Sequence, residues 1–247
     1  MIEYLEWDSD FFSISVGSVR SKVASESKLD SILCEMRESN FNLVYVTLPM
    51  YRLDLIARIL RENETMAADT RAEMVIDLEK YCSPQSFVQS TDFILRIAEK
   101  DDIASIGELA SYCFRGITRF YRDPRLSDER CDELYRTWVK RDIRQRGNLS
   151  LICTCEGIPA GFCTVDCTGD EYARIGLIGV AHEFRGSGQG QVMLKKVAGM
   201  LRDKGCKHLV AVTQLASVGA MRMYERAGFL LRETSIVVHL WKDVEGI

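Results

Sequence analysis

Ile178-Gly179-Val180-Ala181-His182-Glu183-Phe184-Arg185-Gly186-Ser187-Gly188-Gln189-Gly190 decides how the rest of this sequence is read. An apolar strand runs into a glycine-rich turn, and the turn opens a helix. Gly186, Gly188 and Gly190 remove three side chains in five residues. Backbone N–H groups there can approach a ligand closely, and the helix start adds unpaired donors and the positive end of its dipole. Such a turn suits a pyrophosphate, with Arg185 as a cation at its edge. The spacing is not Gly-x-Gly-x-x-Gly, and no Gly-Lys-Ser/Thr follows, so neither dinucleotide fingerprint nor P-loop is present.

A second motif follows the next strand. In Ser217-x-x-Ala220-x-x-x-Tyr224-x-x-x-Gly228-Phe229, Ala220, Tyr224 and Ala227 share one helix face, and Gly228 suits a left-handed position just past the helix end. Small alanines would let that face approach a ligand.

In order and spacing, Arg185-x-x-Gly188-x-Gly190 after an apolar strand resembles the acyl-CoA loop of the GNAT superfamily of N-acetyltransferases. The second motif resembles that family's Asn-x-x-Ala-x-x-x-Tyr-x-x-x-Gly-Phe segment, with Ser217 in place of Asn. The resemblance runs from Phe93 to Trp241. It implies an α/β (α+β) fold: a mixed, mostly antiparallel twisted sheet flanked by helices. It implies acetyl-CoA as cosubstrate, held by Ile178, Gly179, Val180, Arg185, Gly186, Ser187, Gly188, Gln189, Gly190, Ser217 and Ala220. Backbone groups of Ile178 and Val180 would meet the thioester and pantetheine, the Ile178 N–H polarising the carbonyl. Tyr224 would be the catalytic acid for the departing thiolate, a phenol being well matched to that task.

Before Phe93 the chain alternates strand-like and helix-like stretches. Ile14 to Val19, Asn42 to Leu48 and Met74 to Leu78 read as strands. Leu29, Ile32, Leu33 and Met36, and then Leu53, Ile56, Ile59 and Leu60, read as helical stripes. Ser83-Pro84-Gln85-Ser86 and Ser90-Thr91 read as a linker. We therefore expect a smaller N-terminal α/β domain over 1–90 and the acetyltransferase domain over 91–247. In the latter, Phe93 to Ile97 is a strand and Asp101 a helix cap, with Arg115 to Leu126 a loop. A helix runs from Ser127 to Arg146. Ser150 to Cys155 and Ala160 to Cys167 form a hairpin, followed by a strand over Arg174 to Val180 and a helix over Val192 to Lys204. His208 to Thr213 is a strand, Ser217 to Ala227 a short helix, and Phe229 to Leu231 and Ile236 to Trp241 are terminal strands.

Two stretches resemble one branch of the family, the TDP-fucosamine acetyltransferases: Leu5-Glu6-Trp7-Asp8-Ser9-Asp10-Phe11-Phe12, and Phe114-Arg115 to Leu126 with Tyr135-x-x-Trp138. That branch implies a nucleotide-linked amino sugar, dTDP-4-amino-4,6-dideoxygalactose, as acceptor. Arg115, Arg119, Arg122 and Arg125 would meet phosphates, and Phe120 or Tyr121 would stack on a base or sugar. The substrate-binding expectation rests on Arg119, Phe120 and Tyr121. A carboxylate must take the amine's proton, and Asp69, Glu73, Asp166, Asp170 and Glu171 are the candidates. Acetylation of a peptide or protein N-terminus, and a non-catalytic acyl-CoA-binding module, are the competing readings.

Composition narrows the rest. In 247 residues, Lys+Arg 32 against Asp+Glu 36 leaves a net charge of -4, unsuited to a protein whose main partner is nucleic acid. No apolar run is long enough to span a membrane, and the start has no basic and apolar leader. Nine cysteines, an odd count spread through apolar segments, read as reduced thiols in a cytoplasmic protein. Cys153, Cys155, Cys163 and Cys167 lack the Cys-x-x-Cys knuckle of a zinc site, so no metal is expected. A homodimer is the base-rate expectation.

Overall fold

The protein is described here by a computed structural model, which covers residues 1–62, 65–81, 92–169 and 171–242. The expected linker over 83–91 and the candidate Asp170 lie outside the described residues. The chain opens β1 (Ile2–Tyr4), α1 (Glu6–Phe12), β2 (Val16–Val19), α2 (Glu26–Glu38), β3 (Leu43–Pro49), α3 (Leu53–Ile59) and β4 (Thr65–Asp77). It continues with β5 (Phe93–Ile97), α4 (Ile103–Phe114), α5 (Arg119–Arg122), α6 (Asp128–Arg144), β6 (Leu149–Cys155), β7 (Ile158–Asp166) and β8 (Tyr172–Val180). Last come α7 (Gln189–Asp203), β9 (His208–Gln214), α8 (Val218–Arg226) and β10 (Leu230–Trp241).

Local chemistry sets many of these bounds. Ser127 caps α6 by accepting from the Arg130 N–H. The turn before α4 is held by a reciprocal box between Glu99 and Asp102, not by Asp101, and Arg96 grips Asp102 through both guanidinium nitrogens at 2.6 and 2.7 Å. Glu156 (φ 50°) and Gly157 (φ 81°) make the hairpin turn between β6 and β7.

Among the described residues, ten strands form one sheet, in the order β1-β2-β3-β10-β4-β9-β8-β7-β6-β5. Pairing is antiparallel except for β2 with β3 and β8 with β9. The expected boundary near residue 90 is therefore not a break in the sheet. β10, from the end of the chain, sits between β3 and β4, and β4 sits between β10 and β9. The separate terminal strands read from the sequence are one strand, β10, carrying register shifts at Leu231/Glu233 and Val237/Val238.

Strand alternation sorts the core into two layers. On one face, Ala72, Met74 and Ile76 of β4 pack with Met193, Leu194 and Val197 of α7 and Tyr224 of α8. Val44 and Val46 of β3 pack there against α2 and α3. On the other face, Leu43 and Tyr45 of β3, Ile152, Phe162 and Leu177 pack against α1, α4, α5 and α6.

A sheet irregularity shapes the middle. Thr164 pairs with Leu177 but Val165 pairs with Ile175, so Gly176 is an extra residue in β8. The Thr164 hydroxyl donates to Asp142 Oδ2 at 2.7 Å and accepts from the Leu177 N–H at 2.9 Å. A Cβ on Gly176 would lie 2.7 Å from Asp142 Oδ2 and 2.8 Å from Thr164 Oγ1.

Gly176→Ala is expected to lower unfolding free energy by about 1–3 kcal/mol through this overpacking. Gly199→Ala, inside α7 where a Cβ meets nothing within 4 Å, is expected to raise it by about 0.5–1 kcal/mol. Chemical denaturation of both variants checks the pair; an unchanged Gly176→Ala would show that the bulge tolerates a side chain.

Candidate active site

β8 and β9 pair only over Tyr172–Arg174 with His208–Val210. Beyond that they part. β8 remains paired with β7 as far as Val180, and β9 with β4 as far as Gln214. The opening is the throat of a cleft of about 710 Å³ lined from both faces of the sheet. The Ala181 N–H donates to Ala160 O at 2.9 Å, and the Leu177 N–H also points toward β7. By strand alternation the amides of Ile178 and Val180 face the opening, while that of Gly179 faces β7. Gly179 also lines the cleft, and there is no room for a side chain on it, since a Cβ there would lie 2.7 Å from Phe162.

The glycine turn borders the same cleft. Gly186 (φ 83°) and Gly188 (φ 84°) both adopt left-handed backbone, and a Cβ on either would project into open space. The first helical bond of α7 is Val192 N–H to Gly188 O, at 3.1 Å. The amides before it, at Gln189, Gly190 and Gln191, are first-turn donors directed at the cleft end of the helix. Gly190 has a different reason for being glycine: a Cβ there would collide with Met223 Sδ, so it lets α7 and α8 approach. The Gln189 side chain is buried against Cys153, which leaves its backbone for a ligand. Arg185 folds back, its Nε donating to Val180 O at 3.3 Å. Ser187 does not line the cleft; its hydroxyl donates to Phe184 O at 2.6 Å.

Across the turn, α8 brings Ser217, Ala220 and Tyr224 to the lining. Tyr224 is 2% exposed and packs edge-on against Phe229. Its hydroxyl makes no protein hydrogen bond among the described residues, yet it is not one of the sealed-off, unpartnered polar atoms. Burial pushes the phenol well above its usual range, so it stays protonated.

On the opposite face Arg119 and Phe120 line the cleft with Phe114, Tyr135 and Trp138. Tyr121, expected beside an acceptor, is not in the lining: its ring stacks on Tyr135 and its hydroxyl donates to Asp132 Oδ1 at 2.6 Å. Of the four loop arginines only Arg119 reaches the cleft. Arg115 pairs with Asp132, and Arg125 lies over the Trp241 ring.

Among the described candidate carboxylates, Asp69 alone lines the cleft. It is 5% exposed; one oxygen accepts from Gln214 Nε2 at 3.3 Å, and the other, Oδ1, is buried without a partner. Burial raises its pKa, the Gln214 bond and nearby Arg71 opposing. Glu73 pairs with Arg232, Glu171 with Lys207, and Asp166 accepts from Thr168. Arg71, two residues after Asp69 on the same face of β4, also lines the cleft, as does Arg174. Sequence reading missed both arginines, and it placed only Met74 to Leu78 of β4 in a strand. Period-2 alternation over Ala68 to Ile76 was the available signal, with Asp69 and Arg71 on its polar side.

Residues 116–229 match the family model described as the acetyltransferase (GNAT) family. Over that span, a little under half of the chain, the sequence is that of a GNAT acetyltransferase domain. The spore coat polysaccharide biosynthesis protein SpsD of Bacillus subtilis is 27% identical over 171 residues, covering 68% of this chain and 58% of that protein. An uncharacterized N-acetyltransferase of Methanocaldococcus jannaschii is 28% identical over 148 residues, covering 57% of this chain and 62% of that protein. The matches thus span less than two thirds of either relative. A conserved Staphylococcus epidermidis protein of unknown function shares the fold at a TM-score of 0.67 and 13% identity, over 93% of this chain and 85% of that one. A GCN5-related N-acetyltransferase from Kribbella flavida does so at 0.62 and 12% identity, over 93% and 82%. The GNAT family uses acetyl-CoA, and the open strand edge and bare-backbone turn fit a pantetheine arm and a pyrophosphate.

Because its hydroxyl bonds nothing in the protein, Tyr224→Phe is expected to leave unfolding free energy within about 0.5 kcal/mol of the parent, or to raise it. Denaturant melts check this; a loss above about 1 kcal/mol would reveal a structural bond at that hydroxyl.

Proposed function

We propose that this chain is an acetyl-CoA-dependent N-acetyltransferase that moves the acetyl group to a primary amine by direct attack in a ternary complex. The observation that carries this reading is the single cleft that crosses the sheet between β8 and β9, with bare amides and Tyr224 on one face and Asp69 on the other. The amides of Gln189, Gly190 and Gln191, with Gly186 and Gly188 cleared of side chains, hold the pyrophosphate. The Ile178 and Val180 backbone pairs with the pantetheine arm, and the Ile178 N–H polarises the thioester carbonyl.

Asp69 takes the proton of the acceptor's ammonium group. The neutral amine then attacks the carbonyl carbon, the C–N bond forms and the C–S bond breaks. Tyr224 donates its phenolic proton to the departing thiolate; the second proton, which the nitrogen sheds on becoming an amide, returns through solvent to the phenolate, and Asp69 releases its own proton to solvent. Cys113 also lines the cleft, but burial pushes its thiol up to about 11, which leaves it a poor nucleophile and supports direct transfer.

The acceptor we propose is an amino sugar carried on a nucleotide, such as dTDP-4-amino-4,6-dideoxygalactose. Likeness to a polysaccharide biosynthesis protein supports it, as do the aromatic walls of Phe114, Tyr135 and Trp138. A peptide acceptor calls for an open groove, whereas β4 and α5 wall this face with Asp69, Arg71 and Arg119.

Gly188→Glu is expected to abolish the thermal protection that CoA gives the parent protein; retained protection would remove the turn from the binding site. Tyr224→Phe is expected to lower kcat about 10²-fold or more, with acetyl-CoA KM within about threefold; unchanged kcat would assign the proton to another donor. For Asp69 the base form is the ionised one, and its folded pKa lies above the ordinary value, so activity rises with pH through that raised pKa. Asp69→Asn is expected to cost about 10²–10⁴-fold in kcat and to remove that acid limb. A profile with the limb intact would exclude Asp69 as the base.

A further inference from the structure

The acceptor face of the cleft carries more positive charge than its own carboxylate balances. Arg71, Arg119 and Arg174 line the cleft, and Asp69 is the acid that accompanies them. Among the described residues, Arg71 and Arg174 make no ion pair or side-chain hydrogen bond. Glu73, the other acid near Arg71 on β4, is already bound to Arg232. Burial, and after it the neighbouring Arg119 cation, hold the Arg71 guanidinium below the ordinary arginine range. Crowded guanidinium groups that outnumber the carboxylates beside them repel one another, and an anionic ligand relieves that cost.

Arg119 is also locked in place. Its guanidinium stacks over Tyr45 at 3.9 Å and Phe120 at 4.3 Å. Its Nη1 lies 3.3 Å from His239 Nε2. His239 is fully buried, and its Nδ1 is 2.6 Å from Asp123 Oδ2. Asp123, 1% exposed, accepts further from the Trp241 indole N–H at 3.0 Å and the Arg125 amide at 3.1 Å. With Nδ1–H donated to Asp123, Nε2 keeps its lone pair and accepts from Arg119. A neutral imidazole at that point is favoured by its burial, and by the Arg119 charge beside it. The result is a chain, Asp123–His239–Arg119, that ends on a cation in the cleft. Such a buried relay fixes a guanidinium's orientation, which matters for a planar, two-pronged contact with an oxyanion.

We propose that Arg71 and Arg119 form an anion clamp on the acceptor face, with the Asp123–His239 pair as its buttress, so that the acceptor is an amine bearing a phosphate or carboxylate group. This rests on the acetyl-transfer reading and deepens it: it names the residues that hold the acceptor's acidic end and the buried pair that orients one of them. His239 acts as a positioning residue, through Arg119.

Calorimetric titration of the full chain, with and without saturating CoA, tests the clamp. One arm uses dTDP, a second N-acetylglycine, and thymidine serves as the uncharged control. The CoA-loaded protein is expected to bind dTDP or N-acetylglycine but not thymidine. The arm that binds names the source of the oxyanion, and that affinity is expected to fall with added salt. Arg71→Gln and Arg119→Gln are each expected to weaken it tenfold or more. Should Arg119→Gln fail to fold, Arg71→Gln alone decides. Failure of both anions to bind, or affinities within twofold of the parent in the folded variants, would overturn the clamp. His239→Gln can present an amide oxygen to Arg119, so it is expected to retain more affinity than His239→Leu at matched melting temperature; equal affinities would overturn the buttress. Thermal protection by CoA in the same samples reports the glycine turn independently. Protection without anion binding sinks the clamp alone, and anion binding without protection sinks the acetyl-transfer reading alone.

Discussion

The parting of β8 from β9 after Arg174 is the constraint from which the site follows. Unpaired strand edges inside a sheet are expensive because each backbone N–H and C=O seeks a partner. Here each strand keeps its outer neighbour, β7 or β4, and gives up only the inner one. Gly176 helps enforce this. As the extra residue of β8 it re-aims the strand, and the Asp142–Thr164 contact fills the space where a side chain would stand. The amides of Ile178 and Val180 are thereby left uncommitted where the cleft joins the two faces of the sheet.

Each face then supplies a different chemistry. On the α7–α8 side the useful groups are main-chain donors at a helix start, exposed by Gly186 and Gly188, and a phenol kept protonated by burial. On the α4–α6 side they are side chains: aromatic rings, arginines and one buried acid. A group reaching through the opening has a buried phenol on one side and a buried carboxyl group on the other. That division suits a transfer in which one nitrogen must lose a proton and one sulfur must gain one.

The first third of the chain is more than a cover for this site. Because β4 is inserted between β9 and β10, it places Asp69 and Arg71 in the lining of the cleft directly. β3 adds Tyr45 beneath Arg119, and β10 brings His239 from near the end of the chain to the same spot. Residues far apart in sequence meet here because adjacent strands of one sheet hold them in register.

The glycine turn, the Ser217 to Phe229 segment, and the strands and helices around them were legible in the linear order. Backbone access and helix starts depend on local residue types: Gly where φ is positive, serine at a cap, alternating apolar residues in strands. Sequence also named Tyr224, Arg119 and Phe120 as cleft residues, and included Asp69 among several acids. It could not choose among those acids, because burial and an unpartnered oxygen depend on which strand lies beside β9. Nor could it foresee Arg71, Arg174 or the Asp123–His239 relay, or keep Tyr121 away from the cleft. Those outcomes depend on long-range strand order and on which face each side chain shares with its neighbours, and only the assembled sheet decides that.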